Sequence, residues 1–159
     1  MKPRTIERFD LSADLYADGA SRGNPGPSAA AWLVVPREGD IISDAISLGT
    51  GTNNRAEYEA LMHGLLTARD AGIRIIRIHM DSELVVRQVT GVYCVRSAGL
   101  RPFYDEVTAL LRQFSRWSLT HTRRDTPEIQ RVDALCNAVL DRARDEGNKN
   151  KENERMVSG

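Results

Sequence analysis

Three short runs near the start of the chain, one of them continuously apolar, read as strands bounded by polar and turn residues. Residues 13–17 read as a strand ending at Asp18, residues 29–35 as a second and residues 40–48 as a third. A Gly/Pro/Asn-rich turn, ASRGNPGP, separates the first two. Short connections predict antiparallel pairing among these strands. From residue 53 the period changes. Apolar positions recur at helical spacing as far as Ala71, and Gly72 supplies the stop. Residues 75–80, IIRIHM, have the β-branched apolar character of a buried strand. A short helix is expected over 82–90, another over 100–114, a strand over 117–122 and a last helix over 127–143, with Pro127 in its first turn. The order β-β-β-α-β-α-α-β-α predicts an α/β fold, a five-stranded mixed sheet with helices on both faces.

The ends of the chain break this pattern. Residues 1–12 are polar and patternless and are expected to be flexible; residues 146–159, EGNKNKENERMVSG, are expected to form a disordered polar tail. The body, residues 13–145, is then one domain. With 159 residues, 41% apolar and 28% charged, it has enough material for a core without staples. The two cysteines, Cys94 and Cys136, form no CxxC pair, so zinc ribbons and thioredoxin-type chemistry are unsupported and two reduced thiols are expected. No apolar run approaches the ~20 residues of a membrane span. The first ten residues hold no signal-peptide core, and a cytoplasmic location is expected. Net charge is zero, which argues against a polycation gripping nucleic acid by charge alone. Only residues 82–131, with eight basic and five acidic side chains, carry a basic excess.

Four acids stand where the pattern expects apolar residues. Glu57 shares a helical stripe with Leu61 and Leu65, though it also fits a capping box with Asn54. Asp81 ends the strand IIRIHM, where it also fits an N-cap. Asp18 ends the first strand before Gly19, a pair that also reads as a hairpin turn. Asp133 falls on the stripe Ile129, Asp133, Cys136, Leu140, with no basic residue at i+3 or i+4. A buried carboxylate without a partner is costly. If the strands ending in Asp18 and Asp81 are neighbours, the acids meet at one sheet edge. Four such groups together are stable mainly with divalent cations between them, and all-oxygen ligation points to Mg²⁺ or Mn²⁺ rather than zinc.

The segments YADGASRGNPGP (16–27), TNNRAEYEA (52–60), MDSELVVRQ (80–88) and RVDALCN (131–137) resemble ribonuclease H type 1, over most of residues 13–143. The resemblance implies a ribonuclease H-like fold and an endoribonuclease that cuts the RNA strand of an RNA/DNA hybrid, leaving 3′-hydroxyl and 5′-phosphate ends. It implies that Asp18, Glu57, Asp81 and Asp133 are catalytic and hold two Mg²⁺, with Mn²⁺ as the alternative. It also implies substrate contacts from Gly19, Ser21, Asn24, Asn53 and Asn54, and a DNA-phosphate contact from Thr52, which as readily caps a helix. The protein is expected to act as a monomer without an obligatory protein partner.

Three departures from the family's pattern matter. Only residues 92–99 separate the two middle helices, so a basic protrusion does not fit; Arg87, Arg96 and Arg101 are the candidate substitutes, Arg96 foremost. Glu83 stands where many members have glutamine. Arg123 or Arg124 takes the place of a loop histidine tied to product release, with His121 nearby but inside a strand. His63 and His79 read as structural. The competing readings are another nuclease of the same fold, of resolvase or integrase type, and a binding module without catalysis. The GNPG loop and TNNRAE argue against the first. The intact acids argue against the second.

Overall fold

A computed structural model describes residues 11–158. The elements are β1 (Ser12–Ser21), β2 (Gly26–Pro36), β3 (Ile42–Gly51), α1 (Asn53–Asp70), β4 (Ile75–Met80), α2 (Glu83–Val89), α3 (Arg101–Leu111), β5 (Arg116–His121) and α4 (Pro127–Val157). The strands form one sheet in the order β3-β2-β1-β4-β5. The β1–β2 and β2–β3 pairs are antiparallel; β1–β4 and β4–β5 are parallel. The expected element order and mixed sheet are therefore present.

Alternation within each strand sends one set of side chains to each face. Ala13, Leu15, Ala17, Ile76 and Ile78 pack with α1, α2 and α3 in the larger core. Ala29, Ala31 and Leu33 pack against Val132, Cys136, Val139 and Leu140 of α4 in the smaller one. Glycine sets the closest approach between layers. A Cβ on Gly19 would sit 2.1 Å from the carbonyl carbon of Ala56 and 2.3 Å from the nitrogen of Glu57, so only glycine lets the end of β1 touch the first turn of α1. At Gly64 the neighbour is instead the side-chain tip of Leu15, 2.7 Å away.

Several boundaries differ from the sequence expectation. β1 runs past Asp18 to Ser21, because Asp18, Gly19, Ala20 and Ser21 pair with residues Ala31 to Ser28 of β2; Asp18-Gly19 is thus not a hairpin turn. α4 continues to Val157, through most of the segment expected to be disordered. That extension is rich in Glu, Lys and Arg, good helix formers that need no core, and residues 145–158 are exposed. Asp133 also departs from expectation. The buried stripe of α4 is Ile129, Val132, Cys136, Val139 and Leu140, and Asp133 lies just outside it, exposed. The expected flexible segment lies outside the described residues up to position 10; Ser12 already begins β1. Among the described residues, Cys94 and Cys136 are free thiols. No described helix is long and apolar enough to cross a membrane.

Candidate active site

Parallel pairing of β1 with β4 places Tyr16 opposite His79. The same register, carried two residues on, brings Asp18 beside Asp81 at the carboxyl ends of the strands. The Gly19–Ala56 contact presses the first turn of α1, with Glu57, against the same spot. α4 crosses the other face and delivers Asp133, which stands near enough to hydrogen-bond Asp18. The four acids therefore converge from two strands and two helices.

Their surroundings are unequal. Asp18 is buried, with 6% of its surface exposed. Burial pushes its carboxyl up from 3.8 to about 8, reinforced by the charges of Asp81, Asp133 and Glu57. Burial pushes Glu57 to about 7, against the hydrogen bonds that favour its charged form. Those bonds come from Ser82 Oγ to Oε2 at 2.7 Å and from Asn53 Nδ2 to Oε1 at 3.2 Å. Arg124 Nε donates to Asp81 Oδ2 at 3.1 Å. Asn137 Nδ2 donates to Asp133 Oδ2 at 3.4 Å. Among the described residues, no basic side chain pairs with Asp18.

The capping alternatives are settled by geometry. Thr52 is the N-cap of α1, accepting from the Arg55 nitrogen at 3.3 Å, so Asn54 and Glu57 form no capping box. Ser82, not Asp81, caps α2, accepting from the Val85 nitrogen. Asp81 is left with its carboxylate turned to Arg124.

A hard divalent cation fits this donor set. A cation would relieve the high proton affinity of Asp18 and Glu57, and every side-chain donor is oxygen. No three His, Cys, Asp or Glu side chains among the described residues enclose a metal position by themselves. The carboxylates form an open wall, the arrangement suited to Mg²⁺ that shares its ligands with water and substrate phosphate.

The remaining predicted positions divide into those at the wall and those beside it. Gly19 is buried at the β1–α1 contact. Ser21 spends its hydroxyl on backbone carbonyls, of Gly23 and, at 2.9 Å, of Gly51. Asn24 Oδ1 accepts from the Asn53 nitrogen at 3.2 Å, tying the glycine-rich loop to the start of α1. Asn24, Thr52 and Asn54 line an open groove of about 620 Å³ with Arg55 and Phe103. Arg96 is exposed on the 92–99 loop. Arg87 neutralises Glu83 at 2.8 Å, and Arg101 pairs with Asp105. Arg123 is drawn to Asp125 by two bonds of 3.2 and 2.9 Å, so Arg124 alone of the pair reaches the wall. His121 Nε2 meets the Asp81 carbonyl at 3.1 Å. His63 stacks on Trp32 and His79 on Tyr16, as structural histidines do. Sequence reasoning missed Ser82 as a partner of Glu57 and Asn137 as a partner of Asp133. A serine directly after a strand-ending acid was the available signal for the first.

A five-stranded mixed sheet with acids at the ends of its central parallel strands defines a ribonuclease H-like protein. Residues 16–139 match the model of the family described as "Reverse transcriptase-like". The chain is 44% identical over 129 residues to ribonuclease HI of Halobacterium salinarum, covering 80% of this chain and 64% of that protein. The chain belongs to the ribonuclease H type 1 family. The crystal structure of RNase H1 from Halobacterium salinarum NRC-1 superposes with a TM-score of 0.77 at 42% identity, covering 82% of this chain and 98% of that one. LC11-RNase H1, solved in complex with an RNA/DNA hybrid, gives 0.75 at 31% identity, with 82% and 98% covered. The match spans less than two thirds of the Halobacterium sequence and 35% of a bifunctional Mycobacterium tuberculosis relative.

Proposed function

We propose that the chain is an endoribonuclease that hydrolyses the RNA strand of RNA/DNA hybrids, with residues 13–145 as its catalytic domain. Asp18, Glu57, Asp81 and Asp133 would hold two divalent cations, Mg²⁺ or Mn²⁺. The observation that carries this reading is Asp18, buried among three other carboxylates with no base of its own. Its likeness to a relative solved with a hybrid supports the substrate class. Divalent cations bound there would make a nucleophile of water and neutralise the departing 3′ oxygen.

The chain's own residues arrange the rest. Ser82 and Asn53 hold both oxygens of Glu57, close enough to Asp18 for its charge to be felt there. Gly19 and Asn24 bring the glycine-rich loop against α1, where their main-chain and amide groups would meet ribose hydroxyls; Ser21 braces that loop. Asn53 and Asn54 present amides beside the cut. Thr52 leaves the start of an 18-residue helix open to a DNA phosphate, and Arg96, exposed on the 92–99 loop next to the groove residue Ser97, would add a cation for the substrate. We read the protein as a monomer of the cytoplasm. The two free thiols suit a reducing compartment, and among the described residues the exposed large apolar side chains are few, in two adjacent pairs and two singles.

The test is cleavage of a labelled RNA/DNA hybrid with and without Mg²⁺, beside RNA/RNA and DNA/DNA duplexes. Mg²⁺-dependent cutting of the hybrid alone is expected. Equal cutting of DNA/DNA would move the assignment to another nuclease of this fold.

The raised carboxyls carry a stability consequence. Between its unfolded value near 3.8 and its folded value of about 8, Asp18 binds more proton in the native state than in the unfolded one. Metal-free stability therefore falls as pH rises through that window. The melting temperature of the protein in EDTA should drop between about pH 5 and 8. Mg²⁺ binds the native state and should reduce the drop. Asp18→Asn should raise the metal-free melting temperature at neutral pH, by about 0.5–2 kcal/mol of stability. A variant that melts lower than wild type would show that repulsion is not the dominant effect.

Arg124 and Arg123 occupy the loop assigned to product release. A guanidinium stays protonated, so its part is to attract phosphate rather than carry protons. Because only Arg124 reaches Asp81, Arg124→Ala should slow steady-state turnover more than Arg123→Ala, and neither as much as loss of a carboxylate. Equal turnover in the double variant and wild type would remove this loop from the reaction.

A further inference from the structure

A second groove, of about 490 Å³, lies between the outer strand β3 and the second half of α4, away from the carboxylates. Ser47 and Thr50 stand on one wall; Arg144, Asn148 and Lys151 stand on the other. Arg22, from the loop after β1, also lines it. The lining thus holds three cations, two hydroxyls and an amide, and no carboxylate. Asp141 stands behind them, pairing with Arg22 at 2.7 Å and Arg144 at 3.8 Å, while Asp145 meets Arg144 at 3.8 Å. Lys151 pairs with no acid among the described residues.

Two of the three cations share the acids Asp141 and Asp145, so the groove keeps a net positive charge through Lys151, and that charge with the hydroxyls of Ser47 and Thr50 suits a run of phosphates. The position relates that run to the carboxylate wall. Arg22 belongs to the loop that holds Asn24, and α4 is the helix that carries Asp133. At ~1.5 Å per residue, Arg144 lies roughly 17 Å and Lys151 roughly 27 Å along the helix from Asp133. At ~3.4 Å per nucleotide step this is about five to eight steps from the cut. The family match ends at residue 139, so Arg144, Asn148 and Lys151 lie beyond it while Arg22, Ser47 and Thr50 lie within it.

We propose that this groove holds backbone phosphates of the nucleic-acid strand that passes Asp18, several nucleotides from the cleavage point. The inference rests on the hybrid-nuclease reading. The groove contributes affinity without sequence preference, through cations on α4 in place of a basic protrusion.

The experiment measures binding of a fluorescent hybrid of about 20 base pairs in EDTA, between ~0.05 and ~0.2 M salt. It compares wild type, Arg144→Gln/Lys151→Gln, and a control, Arg69→Gln/Arg112→Gln, that removes equal charge near the far ends of α1 and α3. Glutamine keeps the helices well formed. Each phosphate contact contributes about −0.9 to the slope of log affinity against log salt, so the groove variant should lose about two from the slope and the control none. The groove variant should also need more hybrid for half-maximal cleavage in Mg²⁺. A wild-type slope in the groove variant, or an equal loss in the control, would overturn the groove. If that happens while wild type still cuts the hybrid, the nuclease reading stands. If wild type neither binds nor cuts, both fall.

Discussion

Asp81→Asn is expected to abolish detectable hydrolysis of a hybrid in Mg²⁺ while leaving the fold intact, and Asp18→Asn and Glu57→Gln should do the same. Bound metal contributes several kcal/mol of charge stabilisation in the transition state. Losing about 4 kcal/mol of it corresponds to a factor of ~10³ in rate. Asp81 shows why the fold should survive. It caps no helix, since Ser82 does that, and among the described residues its carboxylate is hydrogen-bonded to Arg124 on the exposed loop. Asp133→Asn should be milder. Asp133 is exposed and already hydrogen-bonded to an amide, and an asparagine oxygen still accepts and ligates weakly. Steady-state rates and melting curves for the four variants give the check. A near-normal rate in Asp81→Asn would remove this residue from the metal site.

The second large effect is expected at Gly19. An alanine Cβ there would press into the backbone of Ala56 and Glu57 at 2.1–2.3 Å, and backbone cannot swing aside as a side chain does. α1 must shift, and Glu57 moves with it. Overpacking of this kind costs about 1–3 kcal/mol, sometimes more. In a chain of this size that lowers the melting temperature by roughly 2–12 °C. A displacement of ~1 Å at the reacting groups can cost ~10²-fold in rate. Gly19→Ala should therefore lose both stability and turnover. Gly64→Ala is the control. Its Cβ would meet the side chain of Leu15, about two turns along α1 from Glu57, and it should lower stability while keeping turnover. Wild-type turnover in Gly19→Ala would show that the β1–α1 approach does not set the position of Glu57.

Much of this was legible in the chain. Alternation or short apolar runs bounded by turns located all five strands, and the change of period at residue 53 located α1. What the pattern hides is tertiary. Asp18-Gly19 looks like a turn until β2 is seen pairing past it, since neither residue favours a strand by itself. The order β3-β2-β1-β4-β5, which sets Asp18 beside Asp81, follows from a parallel pairing that no local signal encodes. Asp133 lies one position off the buried stripe, a difference of about 100° on the helix that spacing alone resolves poorly. Residues 145–157 look disordered by composition, yet the same Glu, Lys and Arg are good helix formers once Pro127 to Leu140 have nucleated α4. The division of labour between Arg123 and Arg124 depends on Asp125, which captures the first and leaves the second facing Asp81.

The central claim is strand-selective hydrolysis by the carboxylate wall. Its most direct test uses one hybrid labelled separately on its RNA and DNA strands, incubated with wild type and with Asp81→Asn in Mg²⁺, with the product ends identified. The account predicts fragments from the RNA strand only, carrying 3′-hydroxyl and 5′-phosphate ends, and none from the variant. Cleavage of the DNA strand, cyclic or 3′-phosphate ends, or equal cutting by the variant would contradict it.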